Sequence, residues 1–315
     1  MEIRDVLPKD AIPSIDSPSF GDEYIGGADD RLVVLDADPP RGYPVRILNF
    51  HEIVNDTVAG ESRAITWCPL CGSAIVYDRR VAGRTLTFGV SGSLADDDLV
   101  MYDRETESLW KQSLGRCIEG QLEGERLRAL PAALLTWEAF TTQYPDGQVL
   151  QPPHTESEAA SETDEPAPVD YDETPYRAYL ESDGFGLAAH RGERTRQWNR
   201  TDIGPKTVVL GVELDGEAVG YPAPLVRRRN CLTDTVGGTE ILILSNDEPH
   251  AFLRPEFEIT FRDGAFHGDG TVWNPVTGRS EDGRQLDRVP TRRLFAFTWQ
   301  DDHGPDAFYL DATSA

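Results

Sequence analysis

Ala64-Ile65-Thr66-Trp67-Cys68-Pro69-Leu70-Cys71-Gly72-Ser73 is the stretch on which the reading of this chain turns. An apolar run carries a tryptophan up to two cysteines separated by two residues, and a glycine follows where the backbone must turn. Downstream, Ala74-Ile75-Val76-Tyr77-Asp78, the turn residues Val81-Ala82-Gly83-Arg84 and then Thr85-Leu86-Thr87-Phe88 alternate β-branched and aromatic side chains across a glycine. That pattern predicts a β-hairpin. Two thiols at this spacing close a small disulfide ring or hold one metal ion, so the chemistry is expected here.

The flanks narrow the choice. A Cys-x-x-Cys pair of the thioredoxin type opens a helix, whose N-terminus lowers the first thiol's pKa. Strands on both sides disfavour that fold and point instead to a metal-binding knuckle, as in rubredoxins and zinc ribbons. Those proteins use two knuckles, whereas this chain has one, because Cys117 and Cys231 stand alone. A metal ion here, zinc or copper, would draw on His51 as third ligand and Met101 as a softer fourth. A redox site would use Cys68 as attacking thiolate, Cys71 as resolving thiol and His51 as base or charge partner, recycled by a reductant protein or a small thiol. A packed structural turn is the third reading.

Composition limits what surrounds the pair. At 315 residues and 39% hydrophobic the chain is long enough for two cores. Its net charge of -25, with Lys9, Lys111 and Lys206 as the only lysines, suggests a surface adapted to strong salt. At molar salt the Debye length shrinks to about 3 Å, which screens repulsion between carboxylates. Nucleic acid is excluded as a partner by the same charge. No run reaches the roughly 20 apolar residues of a membrane span, and the start lacks a basic and then apolar leader, so a cytoplasmic protein is expected. In that compartment a close cysteine pair is redox-active or metal-bound more often than a structural staple.

In chain order, Arg31–Leu35 reads as a strand and residues 45–54 as a helix that ends near His51 and Glu52. Glu52 is read as orienting the imidazole or as a solvated helix-end charge. Asp96-Asp97-Asp98 is expected in a turn, and residues 131–144 as a helix opened by Pro131. Residues 151–170 are acidic, with almost nothing apolar to bury, and predict a disordered linker or long surface loop. The segment from Tyr171 to Asp202 carries no clear pattern beyond a short helix near Tyr171–Tyr179. His154, His190, His250, His267 and His303 lie in turn-rich or linker sequence and are not expected to bind metal.

Two motifs recur at one spacing. Gly42-Tyr43-Pro44 returns as Gly220-Tyr221-Pro222, and Asp56-Thr57-Val58-Ala59-Gly60 as Asp234-Thr235-Val236-Gly237-Gly238, both 178 residues on. Two tandem copies of one β-rich domain are therefore expected, at 24–150 and 203–311, in a pseudo-twofold arrangement, with 151–202 as an acidic linker and connecting segment. The fold class is α+β, predominantly β. At the positions of His51, Cys68 and Cys71 the second copy has Arg229, Asn246 and Pro249. Residues present in one copy only are the candidates for function.

Tyr43 to Leu48, His51 to Asp56, Thr66 to Ala74, Phe88 to Gly92, Leu99 to Arg104 and Ser108-Leu109-Trp110 together resemble the domain of unknown function family 3179 (DUF3179). The resemblance spans almost the whole chain outside the acidic linker. It implies a prokaryotic protein, here of a halophilic archaeon, without an established activity. Labels of possible selenoproteins among relatives imply that a cysteine of this motif can be replaced by selenocysteine, which favours redox chemistry.

Overall fold

In the computed structural model, residues 1–161, 163 and 165–309 are described, so the linker positions Glu162 and Asp164 and the last residues of the expected second copy, 310–311, lie outside them. The described chain is predominantly β, with short helices, and divides into two compact units, Met1–Asn199 and Arg200–Ala315.

Within the first unit, strands Ile53–Val58, Glu61–Cys68 and Ser73–Asp78 pair antiparallel, and Ala129–Leu130 adds to the last of them. Cys68 stands opposite Ser73, so the cysteine pair occupies the hairpin loop itself. This corrects the expected pairing of residues 74–78 with 85–88. Arg80–Val81 and Arg84–Thr85 form only a two-rung hairpin, and Phe88–Ala95 leaves for another sheet. There it lies between Ile3–Asp5 and Asp98–Asp103, followed by Leu109–Lys111 and Arg116–Glu119. A third sheet runs Ala133–Thr136, Arg31–Leu35, Arg41–Pro44, Gln148–Leu150 and Phe20–Gly21. Val33, Tyr43, Ile47, Leu48, Val54, Ile65, Trp67 and Val76 fill the core against the cysteine-bearing hairpin.

Three local predictions change. The helix expected over 45–54 spans Val45–His51 and stops because Glu52 turns to φ 57, after which Ile53 and Val54 join a strand. The helix expected from Pro131 begins at Trp137, because Ala133–Thr136 pairs with Arg31–Leu35 and the Thr136 side chain accepts from the Ala139 N–H as the cap. Residues 151–199 belong to the first unit. Glu156–Ser157 pairs with Ala167–Pro168, and the Ser157 hydroxyl donates to the Phe50 carbonyl at 2.8 Å. Two short helices, Arg177–Glu181 and Gly186–His190, lie beyond.

The second unit holds the hairpin Val208–Leu214 and Glu217–Pro222, with Arg292–Phe295 on its first strand. Helix Ala223–Arg229 leads into the antiparallel strands Cys231–Val236, Thr239–Leu244 and His250–Leu253. Helices Val45–His51 and Ala223–Arg229 stand 178 residues apart, as do strands Ile53–Val58 and Cys231–Val236. Tyr43 donates its hydroxyl to Asp56 at 2.6 Å, and Tyr221 does the same to Asp234 at 2.7 Å.

Candidate functional site

Cys68 ends a strand whose alternating side chains are buried, and Pro69-Leu70-Cys71-Gly72 brings the chain back. Gly72 takes φ 55, a left-handed shape that glycine adopts without strain. The Cys68 sulfur accepts hydrogen bonds from both the thiol and the backbone N–H of Cys71. The Cys71 thiol also lies 3.4 Å from the Asp97 carbonyl oxygen. Both residues are buried, and all four cysteines of the chain are free.

The third donor is a carboxylate. One ligand atom each from Cys68, Cys71 and Asp98 lies within 4.8 Å of the other two, and all three residues are buried. Asp98 opens the strand Asp98–Asp103, and its Oδ2 accepts the Ser113 N–H at 2.8 Å, which fixes its orientation. Asp98 was expected in a turn, and only the sheet that runs beside the knuckle brings it there. Tetrahedral zinc with bonds of about 2.0–2.3 Å separates its ligand atoms by roughly 3.3–3.8 Å. The observed cluster needs only small adjustment to reach that.

His51 is not brought to this cluster. Its Nδ1 faces the Pro13 carbonyl at 2.8 Å and its Nε2 faces the Tyr171 hydroxyl at 2.7 Å. A carbonyl only accepts, so Nδ1 carries the ring proton and Nε2 receives the Tyr171 hydroxyl. That hydroxyl also lies 2.9 Å from the Pro153 carbonyl and divides its single proton between the two acceptors. Burial pushes the imidazole down to about 4, which keeps it neutral. Met101, three residues beyond Asp98, falls on the opposite face of that strand and packs across from Val90 and Trp110.

Other acids gather instead. Glu52 follows His51 directly, yet its backbone reverses at φ 57 and its carboxyl is buried. Burial, then Glu158 and Asp98, push it up to about 8. Burial also raises the Cys68 thiol, offset by Cys71 and reinforced by Asp98 and Glu52. Glu52 and Cys68 border a cavity of about 190 Å³ whose remaining walls include Leu70, Leu94, Leu99, Tyr176, Leu187, Glu158, His190 and Arg191. Burial, then Arg191, lowers the imidazole of His190.

The segment that closes this cavity had no clear pattern in the sequence. Tyr179 donates its hydroxyl to the Leu70 carbonyl at 2.5 Å and accepts the Gly186 N–H at 3.1 Å. The Leu187 N–H donates to Asp97 Oδ1 at 3.2 Å. His190, expected to lie away from any cysteine, borders the same cavity as Cys68. For Glu52 a signal existed. The position 178 residues on is Asn230, at φ 58, and asparagine tolerates that backbone far better than glutamate. A glutamate kept at a strained position in one half marks a functional candidate.

A family model described as "Protein of unknown function (DUF3179)" matches residues 9–307. No curated protein and no solved structure matches the chain.

Proposed function

The chain belongs to the DUF3179 family, and we propose that Cys68, Cys71 and Asp98 hold one thiophilic metal ion, zinc or copper, beside a substrate-sized cavity. The observation that carries this reading is the buried convergence of two sulfurs and a carboxylate within 4.8 Å. Three protein ligands leave a fourth position for water or substrate, and Cys68 borders the cavity into which that position would open. The bound ion would act as a Lewis acid on a group placed there. Asp98, rather than His51 or Met101, completes the donor set in this proposal, and His51 anchors the helix end to Pro13 and Tyr171.

The electrostatics favour metal over a free thiolate. A nucleophilic cysteine needs a neighbouring cation or helix N-terminus to lower its pKa. Cys68 has buried surroundings and two carboxylates, all of which raise it. A divalent cation reverses that balance, because it stabilises thiolates and carboxylate together.

A second reading rests on the hydrogen bond between the two sulfurs. Cys68 and Cys71 are close enough to exchange two electrons and two protons with a disulfide acceptor and become a disulfide themselves, with a thiol reductant as the recycling partner. Elemental analysis of protein purified without added metal, with thiols counted before and after reduction, separates the two. Stoichiometric metal that is lost in Cys68→Ser supports the centre. Metal-free protein that gains two thiols on reduction supports the redox pair.

We also read the two units as copies of one β-rich domain, with the second stripped of the site. The matching helix and strand spacing and the two tyrosine–aspartate bonds support this. A cytoplasmic setting accords with four free cysteines, and the acidic coat with a salt-rich one. Among the described residues no helix is long and apolar enough to cross a membrane.

A further inference from the structure

The Glu52 carboxyl is only 7% exposed, faces the cavity, and has neither a hydrogen bond nor an ion pair among the described residues. A buried carboxyl in that condition is costly until something supplies a donor or a counter-charge. The ionisable groups nearest it are Glu158 and Asp98, both acids. A metal ion at the neighbouring cluster does not remove the deficit, because two thiolates and Asp98 carry three negative charges against its two. The floor of the cavity therefore stays anionic, whether or not the ion is bound.

The walls select the kind of cation. Leu70, Leu94, Leu99 and Leu187 offer apolar surface, and the Tyr176 and His190 rings lie 5.1 Å apart. A hydrated inorganic ion gains nothing from such walls, whereas an organic ammonium matches both the carboxyl and the apolar and aromatic surface. The volume, about 190 Å³, slightly exceeds the ~150 Å³ of an engineered cavity that admits benzene. His190 and Arg191 are exposed at the opening, where solvent screens their charge.

We propose that this cavity binds a small primary amine with a compact apolar body, the ammonium against Glu52 and Glu158 and the body against the leucines. The inference rests on the metal reading only for what lies beside the amine, and it has its own readout. Calorimetric titration of the full chain, as isolated, with benzylamine, benzyl alcohol and benzoate is the test, with metal content measured on the same samples.

Benzylamine should bind saturably, benzyl alcohol at least tenfold more weakly and benzoate not at all. Glu52→Gln should weaken benzylamine at least tenfold with metal content unchanged, and Leu94→Trp, which fills the cavity from a partly exposed position, should abolish binding. Absence of saturable benzylamine binding to metal-loaded protein overturns the amine site and leaves the metal centre standing. Amine binding by protein that never holds metal supports the amine site and sinks the metal centre. Loss of metal from Glu52→Gln overturns the amine site by making Glu52 a ligand of the ion.

Discussion

Tyr179 holds Leu70, with its hydroxyl donating to the carbonyl inside the Cys-Pro-Leu-Cys turn at 2.5 Å while it accepts the Gly186 N–H. The segment without an evident sequence pattern thus fixes the backbone on which both sulfurs sit. Tyr179→Phe leaves that carbonyl without its donor, at a cost of about 1–3 kcal/mol. Denaturant titration should show the loss. Competition with a chromogenic chelator should also show weaker metal retention, whereas a purely structural role would change only the former.

His51 governs part of the pH response. Its ring is neutral in the fold down to about 4, while the unfolded chain protonates it near 6.5. Between those values the unfolded state binds more protons, so stability falls as pH falls through the window. At 1.36 kcal/mol per unit the total reaches about 3 kcal/mol. His250, buried and shifted in the same direction, adds to the slope. Comparing unfolding free energies at pH 7 and 4.5 for the wild type and His51→Gln should give a flatter slope for the variant. An unchanged slope would show that the imidazole titrates freely.

Glu52 is expected to trade stability for function. Glu52→Asn places in the first half the residue that the second half has at Asn230, where the backbone angle is the same within a degree. It removes a buried acid and relieves left-handed strain of about 1–3 kcal/mol. The denaturation midpoint should rise while benzylamine binding is lost. A fall in the midpoint would contradict the strain argument.

If the two units share one scaffold, Tyr43→Phe and Tyr221→Phe should each cost about 1–2 kcal/mol by freeing a matching aspartate. Both should leave metal content unchanged, as elemental analysis would show. A large cost for one and none for the other would argue against a common frame.

Much of this arrangement was legible before any coordinates. The apolar alternation around Cys68 predicted strands on both sides of the knuckle, and the 178-residue spacing located helix and strand pairs in both units. What escaped was long-range. Asp98 reaches the sulfurs because Asp98–Asp103 pairs with Phe88–Ala95 and Leu109–Lys111, a register that no local pattern encodes. His51 was misplaced because helical spacing continues through Glu52 on paper, whereas the backbone reverses there and the ring goes to Pro13 and Tyr171. His190 and Glu158 lie in stretches whose composition suggests loops, and their place at the cavity comes from tertiary anchors such as the Ser157–Phe50 and Leu187–Asp97 bonds.

X-ray absorption at the metal edge of protein loaded with one equivalent of zinc tests the centre most directly. Two sulfur scatterers at about 2.3 Å and one or two oxygen scatterers at about 2.0 Å, without the outer-shell signature of imidazole, are expected. An imidazole shell, or a first shell without sulfur, would contradict the assignment of Cys68, Cys71 and Asp98.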